Sequence, residues 1–187
     1  LPNLRGRRIV VGVTGSIAAY KSAELISALR HRGAEVWVTM THSAAELIGE
    51  VTLRTLSGRP VALDMWQTPA SVEIAHISLA QFAEAMIVAP ATANVIGKMA
   101  AGIADDLLTT NLLATQCPIV VAPTMNSRMW DNRVVQENLE TLRRRGFILV
   151  EPEEGSLACG EEGKGRLASI ERLLAAVRLA LRRQDLG

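Results

Sequence analysis

Short unbroken runs of apolar residues alternate along this chain with longer stretches whose apolar positions recur every three or four residues, the pattern of buried strands followed by amphipathic helices. Ile9 to Val13 is an almost continuous β-branched run, suited to a strand covered on both faces in a parallel sheet. A helix follows from near Ile17 to Arg32, with Ala23, Leu25, Ile26 and Leu29 as its apolar face and Gly33 ending it. Ala34 to Thr41 is the second strand, so strand, helix and strand form a right-handed crossover unit. The same reading predicts one or two short helices over 43–57 ending at Gly58, a short strand over 61–65, a polar link over 67–73, a helix over 76–84 and a strand over 85–90 that Pro90 stops. A helix then runs through Ala101, and another opens at Gly102 and runs to Thr110, with Asp105 or Asp106 placed to cap it. A strand over 118–123, a helix over 131–145, a strand over 147–150, a glycine-rich loop over 151–166 and an amphipathic helix over 168–183 complete the series.

Strands and helices alternate with no internal repeat or low-complexity linker, which predicts an α/β fold: one doubly wound parallel sheet, Rossmann-like or flavodoxin-like, with helices on both faces and a single domain over residues 1–187. Ligands in such sheets bind at the carboxyl ends of the strands, so the loops at 14–17, 41–43, 91–94, 124–130 and 156–166 are the expected site.

Composition narrows the function. Lys and Arg number 20 against 19 Asp and Glu, a balance that gives no reason to expect a nucleic-acid or membrane partner, and 3% aromatic content argues against a base-stacking platform. No apolar run reaches membrane-spanning length and the first residues lack a signal-peptide core, so a cytoplasmic location is expected. Cys117 and Cys159 read as thiols rather than a structural disulfide, Cys117 as a small core residue before a strand.

Candidate chemistry begins at the first strand-to-helix turn. Gly15 can take a backbone angle closed to other residues and admit a ligand closely, Ser16 can cap the helix, and the first N–H groups of that helix favour a phosphate. Thr41, His42 and Ser43 follow the second strand and could complete the phosphate site, with His42 read as a solvated loop residue. The turn is neither the Gly-x-Gly-x-x-Gly fingerprint nor a P-loop, and an ordinary turn is the alternative.

Further stretches carry a resemblance. They are His76 opening His-Ile-Ser-Leu, Ala-Pro-Ala-Thr-Ala-Asn at 89–94, Ala-Asp-Asp-Leu-Leu-Thr-Thr at 104–110, Pro123-Thr-Met-Asn-Ser-Arg-Met-Trp130 and Ala158-Cys-Gly-Glu-Glu-Gly-Lys-Gly-Arg166. With Gly-Ser-Ile-Ala at 15–18, where many relatives have Gly in place of Ser16, they make residues 9–170 resemble the flavin-containing cysteine decarboxylases, in particular members acting on phosphopantothenoylcysteine on the route to coenzyme A. The resemblance implies FMN and no metal, a homo-oligomer built from trimers up to a dodecamer with sites between subunits, and a phosphopantothenate-cysteine ligase as a fused or separate partner. It implies that Gly15, Ser16, Ile17, Thr41 and Ser43 hold the FMN phosphate and ribityl chain, and that Ala91, Thr92, Ala93, Asn94 and Met125 lie along the flavin. One phosphate needs no pyrophosphate site, which agrees with the missing dinucleotide fingerprint.

Loss of carbon dioxide from a cysteine carboxylate leaves a carbanion without an acceptor; prior oxidation of the thiol to a thioaldehyde turns the product into a stabilised enethiolate. On the family pattern His76 assists thiol oxidation or stabilises developing charge, Asn126 donates its amide to the carboxylate, and Cys159, in a loop with four glycines between 155 and 165, protonates the enethiolate. Met129 and Ala158 would touch substrate, and Lys164 and Arg166 would clamp its phosphate. The structural alternatives are a capping or buried histidine, a turn asparagine and a solvated charge pair. Competing functions are a peptidyl-cysteine oxidative decarboxylase, whose relatives lack the Ala-Cys-Gly element, a non-catalytic flavin-binding regulatory subunit, and an NAD enzyme, which the missing fingerprint disfavours.

Overall fold

The computed structural model describes residues 4–64, 76–156, 160 and 162–186, the side chains of 76–78 and of 156 excepted. Arg8–Val13 (β1), Glu35–Met40 (β2), Val61–Ala62 (β3), Ala85–Ala91 (β4), Ile119–Pro123 (β5) and Ile148–Leu149 (β6) form a six-stranded parallel sheet in the order β3-β2-β1-β4-β5-β6. Of the two doubly wound orders open to the sequence, this is the Rossmann one, and it reverses direction between β1 and β4, where such sheets bind ligands. The helices are Tyr20–His31 (α1, behind a 3-10 turn at Ile17–Ala19), His42–Ala45 (α2), Glu50–Ser57 (α3), His76–Phe82 (α4), Ala93–Ala101 (α5), Leu107–Ala114 (α6), Ser127–Trp130 (α7), Arg133–Arg144 (α8) and Ile170–Leu186 (α9).

Successive strand side chains point to opposite faces, and this sorts the core into two layers. Ile9, Val11 and Val13 of β1 and Val36 and Val38 of β2 join Leu25 and Leu29 of α1 and Leu173 and Val177 of α9 in one. Val10, Trp37, Met86 and Val88 join Ile96 of α5, Leu108 of α6 and Leu142 of α8 in the other. Both faces are thus covered, as the unbroken β-branched runs require.

Several expected boundaries move. Pro90 does not stop β4; the strand continues to Ala91, and the amide that proline lacks is accommodated by a register shift against β5 between Val88 and Ala91. Gly102 ends α5 instead of opening the next helix, because it sits in the left-handed conformation at φ 71°, and α6 starts at Leu107 behind a capping box of Asp106 and Thr109. The helix expected over 131–145 is α8, which starts at Arg133 because Asn132 caps it by accepting from the Val134 N–H at 2.9 Å, and the short α7 precedes it. The strand expected over 61–65 ends at Ala62. The glycine-rich stretch over 151–166 contains an antiparallel ribbon of Glu153–Ser156 (β7) and Glu162–Arg166 (β8). Among the described residues no helix is long and apolar enough to cross a membrane.

Candidate active site

The chain leaves β1 through Thr14, which is buried. Its hydroxyl donates to the Pro90 carbonyl at 2.7 Å and accepts from the Thr92 N–H at 3.1 Å, so one side chain ties together the two loops that flank the point of reversal. Ser22 of α1 donates to the neighbouring Ala89 carbonyl at 2.8 Å. Ser16 caps the following turn as expected, its Oγ accepting from the Ala18 N–H at 3.2 Å. Gly15 serves differently from the expectation. Its backbone is not in the left-handed region, but a Cβ built on it would lie 2.5 Å from the Ser43 Cβ, so glycine is needed there for the close approach of two loops.

The second of those loops starts at Thr41, whose N–H reaches the Val13 carbonyl at 3.0 Å and whose Oγ1 caps α2 by accepting from the Ala44 N–H at 3.2 Å. His42 and Ser43 form the first turn of α2 rather than a loop, and both are exposed. Gly15, Ser16, Thr41 and Ser43 therefore meet on one side of the crevice, with Ile17 exposed at its rim. A bare glycine backbone, three hydroxyls and the N–H groups of the 3-10 turn ahead of α1 form a donor set suited to one small anion.

Across the crevice, Ala91 is wholly buried and acts through its backbone, accepting the Thr124 N–H at 3.0 Å. Thr92 caps α5 with its Oγ1 on the Val95 N–H at 3.3 Å; Ala93 is half-buried and Asn94 exposed, so these three form the accessible rim.

β5 delivers Thr124, Met125 and Asn126 beside them. Asn126 is the N-cap of α7: its Oδ1 accepts from the Met129 N–H at 2.8 Å, which makes the NH2 end of the amide the one left to donate to a ligand. Met125 is half-buried, Met129 exposed and Trp130 buried. The Gly165 carbonyl accepts two hydrogen bonds from this loop, from the Thr124 hydroxyl at 2.9 Å and the Met125 N–H at 3.0 Å. Gly165 sits at φ 151°, and a Cβ there would lie 2.0 Å from the Met125 carbonyl oxygen, so only glycine lets the ribbon lie so close.

The expected phosphate clamps differ in their engagements. Lys164 is bonded to Glu151 and lies 5.2 Å from the Trp130 ring centroid; its ammonium holds the Glu151 carboxyl below the usual carboxylate range. Arg166 is exposed. Glu153 accepts from the Ser169 N–H at 2.8 Å, and this bond is the main cause of its lowered pKa. Cys117 is buried in the core as expected, and burial pushes its thiol pKa up.

His76 opens α4, and the Thr115 hydroxyl fastens that helix to the end of α6 by donating to the Ala80 carbonyl at 2.7 Å. The His76 side chain lies outside the described residues, as do Ala158 and Cys159, which fall in sequence between β7 and β8. Sequence reasoning missed Thr14 and Thr124. A signal was present, because threonine follows each of the four central strands directly, at 14, 41, 92 and 124.

Comparison with known proteins gives the family. Residues 2–181 match the model of the Flavoprotein family. The coenzyme A biosynthesis bifunctional protein CoaBC of Vibrio cholerae is 46% identical over 175 residues, 94% of this chain and 44% of that protein; the chain spans less than half the length of the curated relatives it matches. The crystal structure of the FMN-dependent cysteine decarboxylase SpaF superposes with a TM-score of 0.85 at 34% identity, over 97% of this chain and 99% of that one. A cysteine-to-serine mutant of PPC decarboxylase complexed with pantothenoylaminoethenethiol gives 0.83 at 32% identity, over 94% and 98%. The chain belongs to the Flavoprotein family, with the flavin-dependent cysteine decarboxylases as its kin.

Proposed function

We propose that the protein is an FMN-dependent phosphopantothenoylcysteine decarboxylase that forms phosphopantetheine in coenzyme A biosynthesis. The observation that carries the reading is the seam at Gly165, which joins the turn of Asn126 to the base of the ribbon at the carboxyl end of β5, on the other side of β4 from the cradle of Gly15 and Ser43. The name of the Vibrio cholerae relative and the ligand of the solved PPC decarboxylase mutant support the pathway and the substrate class.

The residues present fit FMN. The corner where Gly15 packs bare against Ser43 carries hydroxyls and backbone N–H groups and no carboxylate of its own, a donor set that suits one phosphate. Gly15, Ser16, Ile17, Thr41 and Ser43 would hold the phosphate and ribityl chain, and Ala91, Thr92, Ala93, Asn94 and Met125 would hold the flavin. Bound FMN supplies a two-electron acceptor for the substrate thiol and returns the electrons at the end.

The chain's own residues do the rest. His76 takes the thiol proton. The Asn126 NH2 holds the carboxylate without a charge that would retain it, so it does not oppose loss of neutral carbon dioxide. Cys159 gives a proton to the enethiolate. Met129 and Ala158 line the substrate, and Arg166 meets its phosphate, joined by Lys164 once that ammonium leaves Glu151. Cys159 also argues against the peptidyl-cysteine oxidative reading, which needs no final proton donor. Ile17 and Tyr20, 63% and 62% exposed beside the cradle, offer apolar surface to a neighbouring subunit, in keeping with a trimer or a dodecamer built from trimers. A phosphopantothenate-cysteine ligase, fused or separate, would supply the substrate, and the setting would be the cytoplasm.

Heating the purified protein and chromatographing what it releases tests the cofactor. FMN is expected; FAD alone would contradict the reading.

A further inference from the structure

We infer that Thr124 is a positioning residue of the decarboxylase, holding the turn of Asn126 and the base of the β7–β8 ribbon in one fixed register. The inference rests on the roles proposed for Asn126 and Cys159 and extends them to a residue that touches neither substrate nor flavin.

Thr124 is a buried polar residue, 6% exposed, at the meeting of three elements. Its N–H continues the ladder from β5 to the Ala91 carbonyl at 3.0 Å, and its hydroxyl crosses to the ribbon at the Gly165 carbonyl at 2.9 Å. Met125, next in the chain, gives its N–H to the same carbonyl at 3.0 Å. One carbonyl oxygen therefore carries both bonds of the seam, and Asn126 follows one residue later as the cap of α7. β8 presses on that helix as well: a Cβ built on Gly163 would lie 2.9 Å from the Ser127 Cβ. Loss of the hydroxyl removes one of the two bonds to that carbonyl and leaves the Met125 N–H, with the packing of Gly163 on Ser127 and Lys164 near Trp130, to hold the ribbon, so the seam is loosened without being released. Backbone bonds elsewhere in β7 and β8 keep the ribbon itself intact.

The consequence concerns the order of events. Thr124→Val keeps the backbone N–H bond at 124 to the Ala91 carbonyl and the Asn126 cap on the Met129 N–H, so the turn of Asn126, which works before carbon dioxide leaves, stays placed, while the ribbon strands that flank Cys159 in sequence lose an anchor; the first half of the reaction should be spared and the second impaired. Thr124→Val removes the hydroxyl at nearly constant shape, and Thr124→Ser restores it.

The test uses flavin-loaded protein without oxygen, with one equivalent of phosphopantothenoylcysteine per site, and reads amide exchange at the Met125 N–H in parallel. For the parent, phosphopantetheine should equal carbon dioxide. For Thr124→Val, exchange at Met125 should speed up at least tenfold, and phosphopantetheine should fall severalfold below carbon dioxide, the balance appearing as the enethiol with two electrons kept on the flavin. Thr124→Ser should match the parent in both. Gly163→Ala, which strains the seam from the ribbon side, should uncouple likewise, and it stands in if Thr124→Val does not load flavin. Unchanged exchange in Thr124→Val, or faster exchange with product still equal to carbon dioxide, overturns the inference; so does a fully coupled Gly163→Ala. A parent that releases no carbon dioxide from this substrate overturns the proposed function instead, while the exchange data still judge the seam.

Discussion

Thr14 donates its hydroxyl to the carbonyl of Pro90 at 2.7 Å across the point where the strand order reverses. The same oxygen accepts from the Thr92 N–H, so the loop after β1 and the loop after β4 are fixed to each other.

Thr14→Val should therefore damage both stability and flavin binding. It leaves a buried carbonyl and a partly buried N–H without their partner, a cost of about 1–3 kcal/mol. Each kcal/mol lost corresponds to a Tm lowered by roughly 2–4 °C at this chain length. Thermal unfolding with and without FMN checks this, and Thr14→Ser should recover most of the loss.

Gly15→Ala should act on the ligand far more than on the fold. The new methyl group would meet the Ser43 Cβ at 2.5 Å, and the loops after β1 and β2 would have to part. FMN affinity should fall at least tenfold, about 1.4 kcal/mol, while the far-ultraviolet circular dichroism stays that of the parent. Unchanged affinity would remove Gly15 and Ser43 from the cradle.

Glu153 predicts a pH dependence. Its carboxyl is held below the ordinary value of 4.5, first by the Ser169 N–H and with help from Arg172 and Arg166. A carboxylate whose folded pKa is depressed contributes stability above its unfolded pKa, and this is lost as pH falls from that value through the folded one. The Tm difference between the parent and Glu153→Gln should be constant near neutrality and shrink below pH ~4.5. Glu151, lowered by Lys164, titrates in the same window, so the variant should keep part of the acid sensitivity.

Much of the sheet was legible because its signal is local. β-Branched runs such as Ile9–Val13 and Ile119–Val121 have few other uses, and the Ser16 cap is readable from one residue and its neighbours. The ribbon was not legible, because Glu153–Ser156 and Glu162–Arg166 show no apolar alternation and are held by contacts with a distant loop. Pro90 misled for a similar reason: a register shift that depends on β5 cannot be seen in β4 alone. Gly15 does not adopt the backbone angle expected of it, and its close approach to Ser43 was not legible because it is a relationship between loops 28 residues apart in sequence. His76, Asn126 and Cys159 came from motif resemblance, and of these the structure adds the most for Asn126, whose oxygen it assigns to a helix cap.

The central claim is a complete, internally balanced decarboxylation that ends with a proton from Cys159. Its most direct test compares the parent and Cys159→Ser in a single turnover of phosphopantothenoylcysteine without oxygen, measuring carbon dioxide, phosphopantetheine and flavin absorbance together. Serine is a far weaker acid than a thiol of pKa about 8.5, so protonation should fail while the earlier steps survive. The parent should give equal carbon dioxide and phosphopantetheine with reoxidised flavin, and Cys159→Ser roughly one carbon dioxide per site with bleached flavin and little phosphopantetheine. Phosphopantetheine formed by Cys159→Ser at the parent rate would contradict it.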